Sequence, residues 1–205
     1  NKANETRVVG GFDIDLSFPF NITELTNSKW SETTFFGSEA NHQIIPKISY
    51  DYTSKKKQSS IPIFDTKDMI NDLYTYERLL SGERYVGIDR FVNENDITLS
   101  LQSILKDSLD ENNELKFTLA QRFYGDDEVV SDTENIDFET RKKYSDIFAS
   151  AELSINDFKA HTTLQLNTAS SHNDENSLIA KYSIGFNFKP HPREFLSVTH
   201  KKSGG

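Results

Sequence analysis

An all-β antiparallel fold, a transmembrane β-barrel segment of about eight strands that would be an open curved sheet when isolated, is the architecture this sequence predicts. Three observations predict it. Apolar and polar residues alternate through most of the chain, while helical periodicity is scarcely visible outside 66–80. The alternating runs are mostly about ten residues long, the length a tilted strand needs to cross hydrocarbon. No run approaches the eighteen or so apolar residues of a spanning helix, so a helical membrane protein is excluded and a barrel is not.

The strands follow in order. Residues 8–22 set Phe12, Ile14, Leu16 and Phe18 against Asp13, Asp15 and Ser17, and 44–53 forms the second strand after a linker. Residues 96–105 set Ile97, Leu99 and Leu101 against Thr98, Ser100 and Gln102, and 114–124 sets Leu115, Phe117 and Leu119 against Lys116, Thr118 and Arg122. In 144–155, Ile147, Ala149, Ala151 and Leu153 oppose Ser150, Glu152 and Ser154. In 158–167, Phe158, Ala160, Thr162 and Leu164 oppose Lys159, His161, Thr163 and Gln165. In 177–188, Leu178, Ala180, Tyr182, Ile184 and Phe186 oppose Lys181, Ser183 and Asn187, and 194–201 closes the series. The apolar face of six of these strands carries no charge, as expected of a lipid contact, where an Arg or Lys at the midplane costs roughly 2–4 kcal/mol. Expected lipid-facing residues are Leu99, Leu101, Phe117, Leu119, Leu153, Leu164, Ile184 and Phe186. Expected lumen-facing residues are Thr98, Ser100, Gln102, Lys116, Arg122, Glu152, His161 and Lys181. A soluble sheet with one face on a protein core gives the same alternation, so the pattern alone leaves both readings open.

Connection lengths separate them. From the second strand onward they run very long (54–95), short (106–113), long (125–143), two residues (Asn156-Asp157, a primed-turn candidate), medium (168–176) and short (189–193). Long loops on one rim and short turns on the other characterise outer-membrane barrels; the long linker 23–43 breaks the rule.

Composition is consistent. Only 35% of the 205 residues are hydrophobic and mean hydropathy is -0.62, low values that a strand with one polar face produces by construction. With 23 basic and 32 acidic residues the net charge is -9, which argues against nucleic acid as a partner. There is no cysteine for a disulfide or thiolate metal site. Asn1-Lys2-Ala3-Asn4-Glu5 contains no apolar signal core, and both ends of the chain look cut. We therefore read 1–205 as a single partial domain, an internal piece of a barrel, containing a long folded loop at 54–95.

Chemistry-bearing patterns are sparse. His42, His161, His172, His191 and His200 fall in separate elements without ligand spacing, and Ser170-Ser171-His172-Asn173-Asp174 reads as a turn, so neither catalytic nor metal residues are assigned. Asp107, Asp110 and Glu111, Asp126, Asp127 and Glu128, and Lys55-Lys56-Lys57 read as solvated turns. The loop 54–95 is different: Ile61, Phe64, Leu73, Tyr74, Tyr76, Leu79, Leu80 and Tyr85 make it too apolar for a disordered segment. It is expected to fold over or into the barrel.

Ile61-Pro62-Ile63-Phe64-Asp65-Thr66, then Leu79-Leu80-Ser81-Gly82-Glu83-Arg84-Tyr85-Val86-Gly87-Ile88-Asp89-Arg90-Phe91, then an alternating strand, then Leu119-Ala120-Gln121-Arg122-Phe123-Tyr124 follow one another in that order. This order closely resembles the barrel of the LPS-assembly outer-membrane protein family LptD, with its LPxFDT loop, RFSGxDRxxDxNQ segment and GQxxYF strand end. The clear match covers about residues 46–130. Departures are Glu83 to Gly87, Asn93-Glu94-Asn95-Asp96, and Ala120 where the family has glycine. The resemblance implies part of a translocon in the Gram-negative cell outer membrane that inserts lipopolysaccharide into the outer leaflet. It implies lipopolysaccharide, outer-membrane lipid, an LptE-like lipoprotein plug and, through parts outside this fragment, a periplasmic LptA-like bridge as partners. It implies no enzyme activity and no cofactor. Asp65, Arg84, Asp89 and Arg90 stand at its motif positions and are expected to order the loop or contact the plug. The alternatives are another outer-membrane barrel, a porin or receptor, and a soluble extracellular β-sandwich binding module.

Overall fold

The structure is a computed structural model, which describes residues 8–22, 40–54, 65, 67–68, 73, 75–82, 85–87, 94–108, 110, 112–129, 141–168, 178–191 and 193–202. Its main feature is one ten-stranded antiparallel sheet. The strands are β1 (Gly11–Ser17), β2 (Phe20–Ile22), β3 (Ala40–Thr53), β6 (Asn95–Asp107), β7 (Glu114–Val129), β8 (Arg141–Tyr144), β9 (Ile147–Ile155), β10 (Phe158–Leu166), β11 (Ile179–His191) and β12 (Glu194–Lys202). Between β3 and β6 lie the two-residue strands β4 (Lys67–Asp68) and β5 (Tyr85–Val86) and the helix α1 (Tyr76–Ser81). The hydrogen-bonded order β1-β3-β6-β7-β9-β10-β11-β12 follows the chain order, and the sheet is open, with β1 and β12 at its two edges.

The expected eight strands are present, two of them interrupted. Run 8–22 divides at Phe18-Pro19, yet the register is conserved: Ser17 faces Lys47 and Phe20 faces Ile44. Phe18 N still donates to the Pro46 carbonyl at 3.0 Å, whereas Pro19 has no N–H to give. Run 144–155 divides at Ser145-Asp146. Between the pairs Ala120–Phe148 and Phe123–Tyr144, β7 has two residues and the facing chain three. That extra residue is a β-bulge. Elsewhere strands are longer than expected, β7 reaching Val129 and β11 reaching His191.

The two faces differ in the opposite sense to a water-soluble protein. Among the described residues the buried hydrophobic side chains are Leu79, Ala120 and Phe148 alone, while Ser49, Asp51, Asp96, Thr98, Ser100, Thr118, Arg122, Gln165, Lys181 and Ser183 are buried polar groups. Leu99, Leu101, Phe117 and Leu119 lie 44–51% exposed on the other face. Cross-strand pairing explains how the polar face closes: Lys47 Nζ meets Asp15 at 2.8 Å, Ser49 donates to Asp15, and Lys116 meets Glu152 at 2.9 Å.

The β9–β10 hairpin turns on two residues, with Ile155 facing Phe158. Asn156 has φ 48° and Asp157 has no positive φ, so the left-handed demand falls on the first turn position alone, and asparagine tolerates it. Replacing Asn156 by Val is expected to destabilise the hairpin by about 1–2 kcal/mol, while Asn156→Gly is near neutral. The midpoint of the heat-modifiability transition of the membrane-inserted protein measures both.

Candidate functional site

The chain gathers its most heavily engaged side chain where α1 meets the polar face of β3, β6 and β7. A six-residue helix has no stability of its own, so its ends and its docking decide whether it forms. Thr75 caps it, accepting from Arg78 N at 3.2 Å. Gly82 ends it with φ 66° in the left-handed region. Leu79 is buried against Ala120 and Phe148, apolar residues at polar-face positions of their strands. The Tyr76 ring stacks on Phe148 with centroids 6.3 Å apart, and its hydroxyl pairs with Ser100 Oγ at 2.9 Å.

Arg122 on β7 locks this contact. Its Nε donates to Asp96 Oδ2 at 3.0 Å, and Nη1 donates to Asp51 Oδ2 at 2.9 Å and to the Leu79 and Leu80 carbonyls at 3.1 and 3.2 Å. Nη2 reaches Glu94 Oε1 at 3.4 Å. The helix therefore ends on a cation, which satisfies carbonyls left without intrahelical partners and matches the negative end of the helix dipole. Only a planar fork reaches three carboxylates and a helix end together; a lysine cannot. Thr98 Oγ1 adds a bond to Leu79 O at 3.4 Å, and Thr53 Oγ1 donates to Glu94 Oε2 at 3.0 Å. Burial pushes the Glu94 carboxyl up from its ordinary value, the Arg122 guanidinium opposing.

Gly82 is required twice over. Its φ excludes most side chains, and a Cβ there would run into Glu94 Oε1 and the Arg122 guanidinium. Gly87, with φ 113°, lies against the Asp65 backbone, where a Cβ would come within 2.6 Å of the carbonyl oxygen. The same region carries the β4–β5 ribbon, with Lys67 facing Val86 and Asp68 facing Tyr85. Asp65 and Lys67-Asp68 are thus brought beside Tyr85-Val86-Gly87, about twenty residues further along the sequence.

Of the residues singled out from sequence, Asp65 is exposed beside Gly87, and Arg84, Asp89 and Arg90 lie outside the described residues. Thr98, Ser100, Arg122 and Lys181 are buried on the polar face. Gln102 donates to Thr118 at 3.4 Å, and Glu152 holds Lys116. His161 sits over Gly185, whose missing side chain leaves room for the imidazole. Leu99, Leu101, Phe117, Leu119, Ile184 and Phe186 are exposed on the apolar face, and Leu153 and Leu164 are half-buried there. Sequence reasoning missed Asp51, Glu94, Asp96, Tyr76, Leu79, Ala120 and Phe148 as one cluster. A usable signal existed: Ala120 and Phe148 break the polar parity of their strands at the level of Arg122.

A family model described as LptD, LPS transport system D, matches residues 1–204. Similar proteins include the LPS-assembly protein LptD of Paraburkholderia xenovorans (strain LB400), 26% identical over 197 residues, 92% of this chain and 24% of that protein. The LPS-assembly protein LptD of Burkholderia ambifaria is 28% identical over 166 residues, covering 81% of this chain and 20% of that protein. That of Pseudoalteromonas atlantica is 26% identical over 168 residues, covering 82% and 20%. The chain thus spans between a fifth and a quarter of the length of these relatives.

Removing the fork strands buried carboxylates, so Arg122→Met is expected to release α1 at a cost of about 3–5 kcal/mol, with Arg122→Lys only partly restoring it. Hydrogen exchange of the Leu79 amide, which bonds Thr75 O, reads the release in the assembled protein. Glu94 supplies a pH test. Its folded-state pKa is raised, so its protonation favours the docked state: that gain is full below the ordinary value of 4.5 and is lost as pH rises through the higher folded value. The Leu79 amide should therefore exchange more slowly, after correction for intrinsic rates, as pH falls from neutral toward 4.5, and Glu94→Gln should weaken this dependence.

Proposed function

The chain belongs to the LptD family, LPS transport system D, and on that premise we propose that it forms part of the wall of an outer-membrane β-barrel that assembles lipopolysaccharide into the outer leaflet. The observation that carries this reading is the inverted burial. Leu99, Leu101, Phe117, Leu119 and Ile184 are exposed together while Thr98, Ser100, Thr118 and Ser183 between them are buried. Water penalises such an apolar area by roughly 25 cal/mol per Å², and contiguous apolar patches of this kind mark an interaction surface. Acyl chains remove the penalty. A soluble sandwich would bury Leu99 and Phe117 instead.

Aromatic placement supports the same orientation. Phe12 packs against Tyr50 and Tyr52, with centroids 5.8 and 5.4 Å apart, where β3 leads into the longest connection, and Tyr182 meets His200 at 5.6 Å between ring centroids near the same rim. Amphipathic rings collect at the headgroup level of a membrane.

The polar face then lines the lumen, and α1, clasped by Arg122, narrows it. A pore for free diffusion has no use for such an obstruction, which favours the translocon over a porin. On this reading the loop 54–95 meets an LptE-like lipoprotein plug, and contact with an LptA-like bridge falls to parts of the protein outside these residues. The work is passage and placement of an amphiphile, without covalent chemistry.

Spin labels test the two-faced wall in the complete protein reconstituted in liposomes. A label at Leu99 should be relaxed by oxygen and one at Ser150 by a polar nickel chelate; a Leu99 label shielded from both sinks the reading. Leu119→Arg should cost assembly about 2–4 kcal/mol, seen as reduced folded protein in the membrane, whereas Thr163→Arg on the other face should be tolerated.

A further inference from the structure

The polar face divides by charge along the sheet. On β1, β3 and β6 it presents Asp13, Asp15, Asp51 and Asp96, balanced by Lys47 and Arg122. On β10, β11 and β12 the sign reverses. Lys159 faces Asn187, His161 faces Gly185 and Ser183 faces Lys201, so Lys159, His161, Lys189 and Lys201 share this face. These strands carry no carboxylate except Glu194, at the turn where β12 begins. Lys159, Lys189 and Lys201 are exposed and form no ion pair with another described residue. The neighbouring carboxylates are already engaged, Glu152 on β9 by Lys116 at 2.9 Å and Asp146, in the break before β9, by Gln165 at 2.9 Å.

The spacing has a shape. Lys201 stands level with Ser183 near the long-connection end; Lys159, level with Asn187, and Lys189 stand near the short-connection end, four and six residues further along β11, about 13 and 20 Å at strand rise. Thr163 and Ser183 stand level with Lys201, and His161 and Thr199, level with Gly185, lie between the two stations; all four are groups that donate and accept hydrogen bonds.

We propose that the β10–β12 polar face binds the phosphate groups of a phosphorylated glycolipid, with Lys201 as one station and Lys159 and Lys189 as the other. This rests on the barrel-wall reading and adds to it where the anionic part of the cargo is held. Lysine serves phosphate as a point charge, demanding no fixed geometry. Exposed pairs of this kind are individually weak, which suits a surface that must release what it binds: separated weak sites permit passage where a deep one would trap. The intervening hydroxyls match sugar hydroxyls, and the acidic β1–β6 half repels the same phosphates toward this wall.

The test places a benzophenone side chain at Thr163, and separately at Ser17 on the acidic half, in the complete protein assembled in proteoliposomes supplied with lipopolysaccharide. Crosslinking at Thr163 should fall about fivefold when the glycolipid is enzymatically dephosphorylated and by a similar factor in Lys159→Gln/Lys201→Gln. Lys159→Arg/Lys201→Arg should restore it, which a folding defect would not allow. Equal yields with and without phosphate overturn this proposal and leave the barrel-wall reading standing. Competition by inorganic phosphate at the lipid's own concentration would overturn the glycolipid assignment in favour of a free-phosphate site. Crosslinking of neither glycolipid at either position would overturn both readings.

Discussion

The Arg122 guanidinium is the interaction on which the arrangement of the polar face depends. It joins Asp51 on β3, Glu94 and Asp96 at the start of β6, and the last carbonyls of α1, segments that the chain separates by up to 71 residues. Charges this deep are tolerable only when every one has a partner in good geometry. Glu94 sits at the margin of that condition, at 3.4 Å from the fork and with its carboxyl pushed up by burial. The sheet can form without α1, but α1 cannot form without the sheet, because a helix of one and a half turns needs both the Leu79 pocket and the cation at its end.

The sheet follows a different logic from a soluble domain. Its buried groups are hydroxyls and paired charges, satisfied across strands, and its exposed groups are leucines and phenylalanines. Neither face could be exchanged with the other, since a one-residue slip in any strand would carry its leucines to the polar side. The bulge at Ser145-Asp146 is a local exception that the structure uses. It turns both residues inward, where Ser145 Oγ receives Arg122 N at 3.0 Å and its carbonyl receives Gln121 Nε2 at 3.0 Å. The irregularity thus braces the strand that carries the clasp.

Taken together, the polar face is built in three parts. Strands β1, β3 and β6 carry the acidic groups, α1 docks across β3, β6 and β7, and β10 to β12 carry the basic ones. On the proposed reading, the docked helix narrows the path of an anionic amphiphile and the division of charge gives that path a side. The tyrosines at the rim with long connections and the phenylalanines Phe20, Phe158 and Phe188 at the opposite rim bound the apolar belt between them.

From sequence alone came the antiparallel all-β class, the eight strand positions and the parity of Leu99 against Ser100. Those follow from periodicity within single strands, which side-chain pattern records directly. What tertiary structure decided was where α1 lands and what holds it. Asp51, Asp96 and Arg122 become neighbours only when β3, β6 and β7 take one register, and no local pattern encodes a register between strands. The same reason hid the break at Pro19 in a conserved ladder, the bulge at Ser145-Asp146, and the basic wall on β10–β12, whose lysines are scattered in sequence and adjacent only across strands.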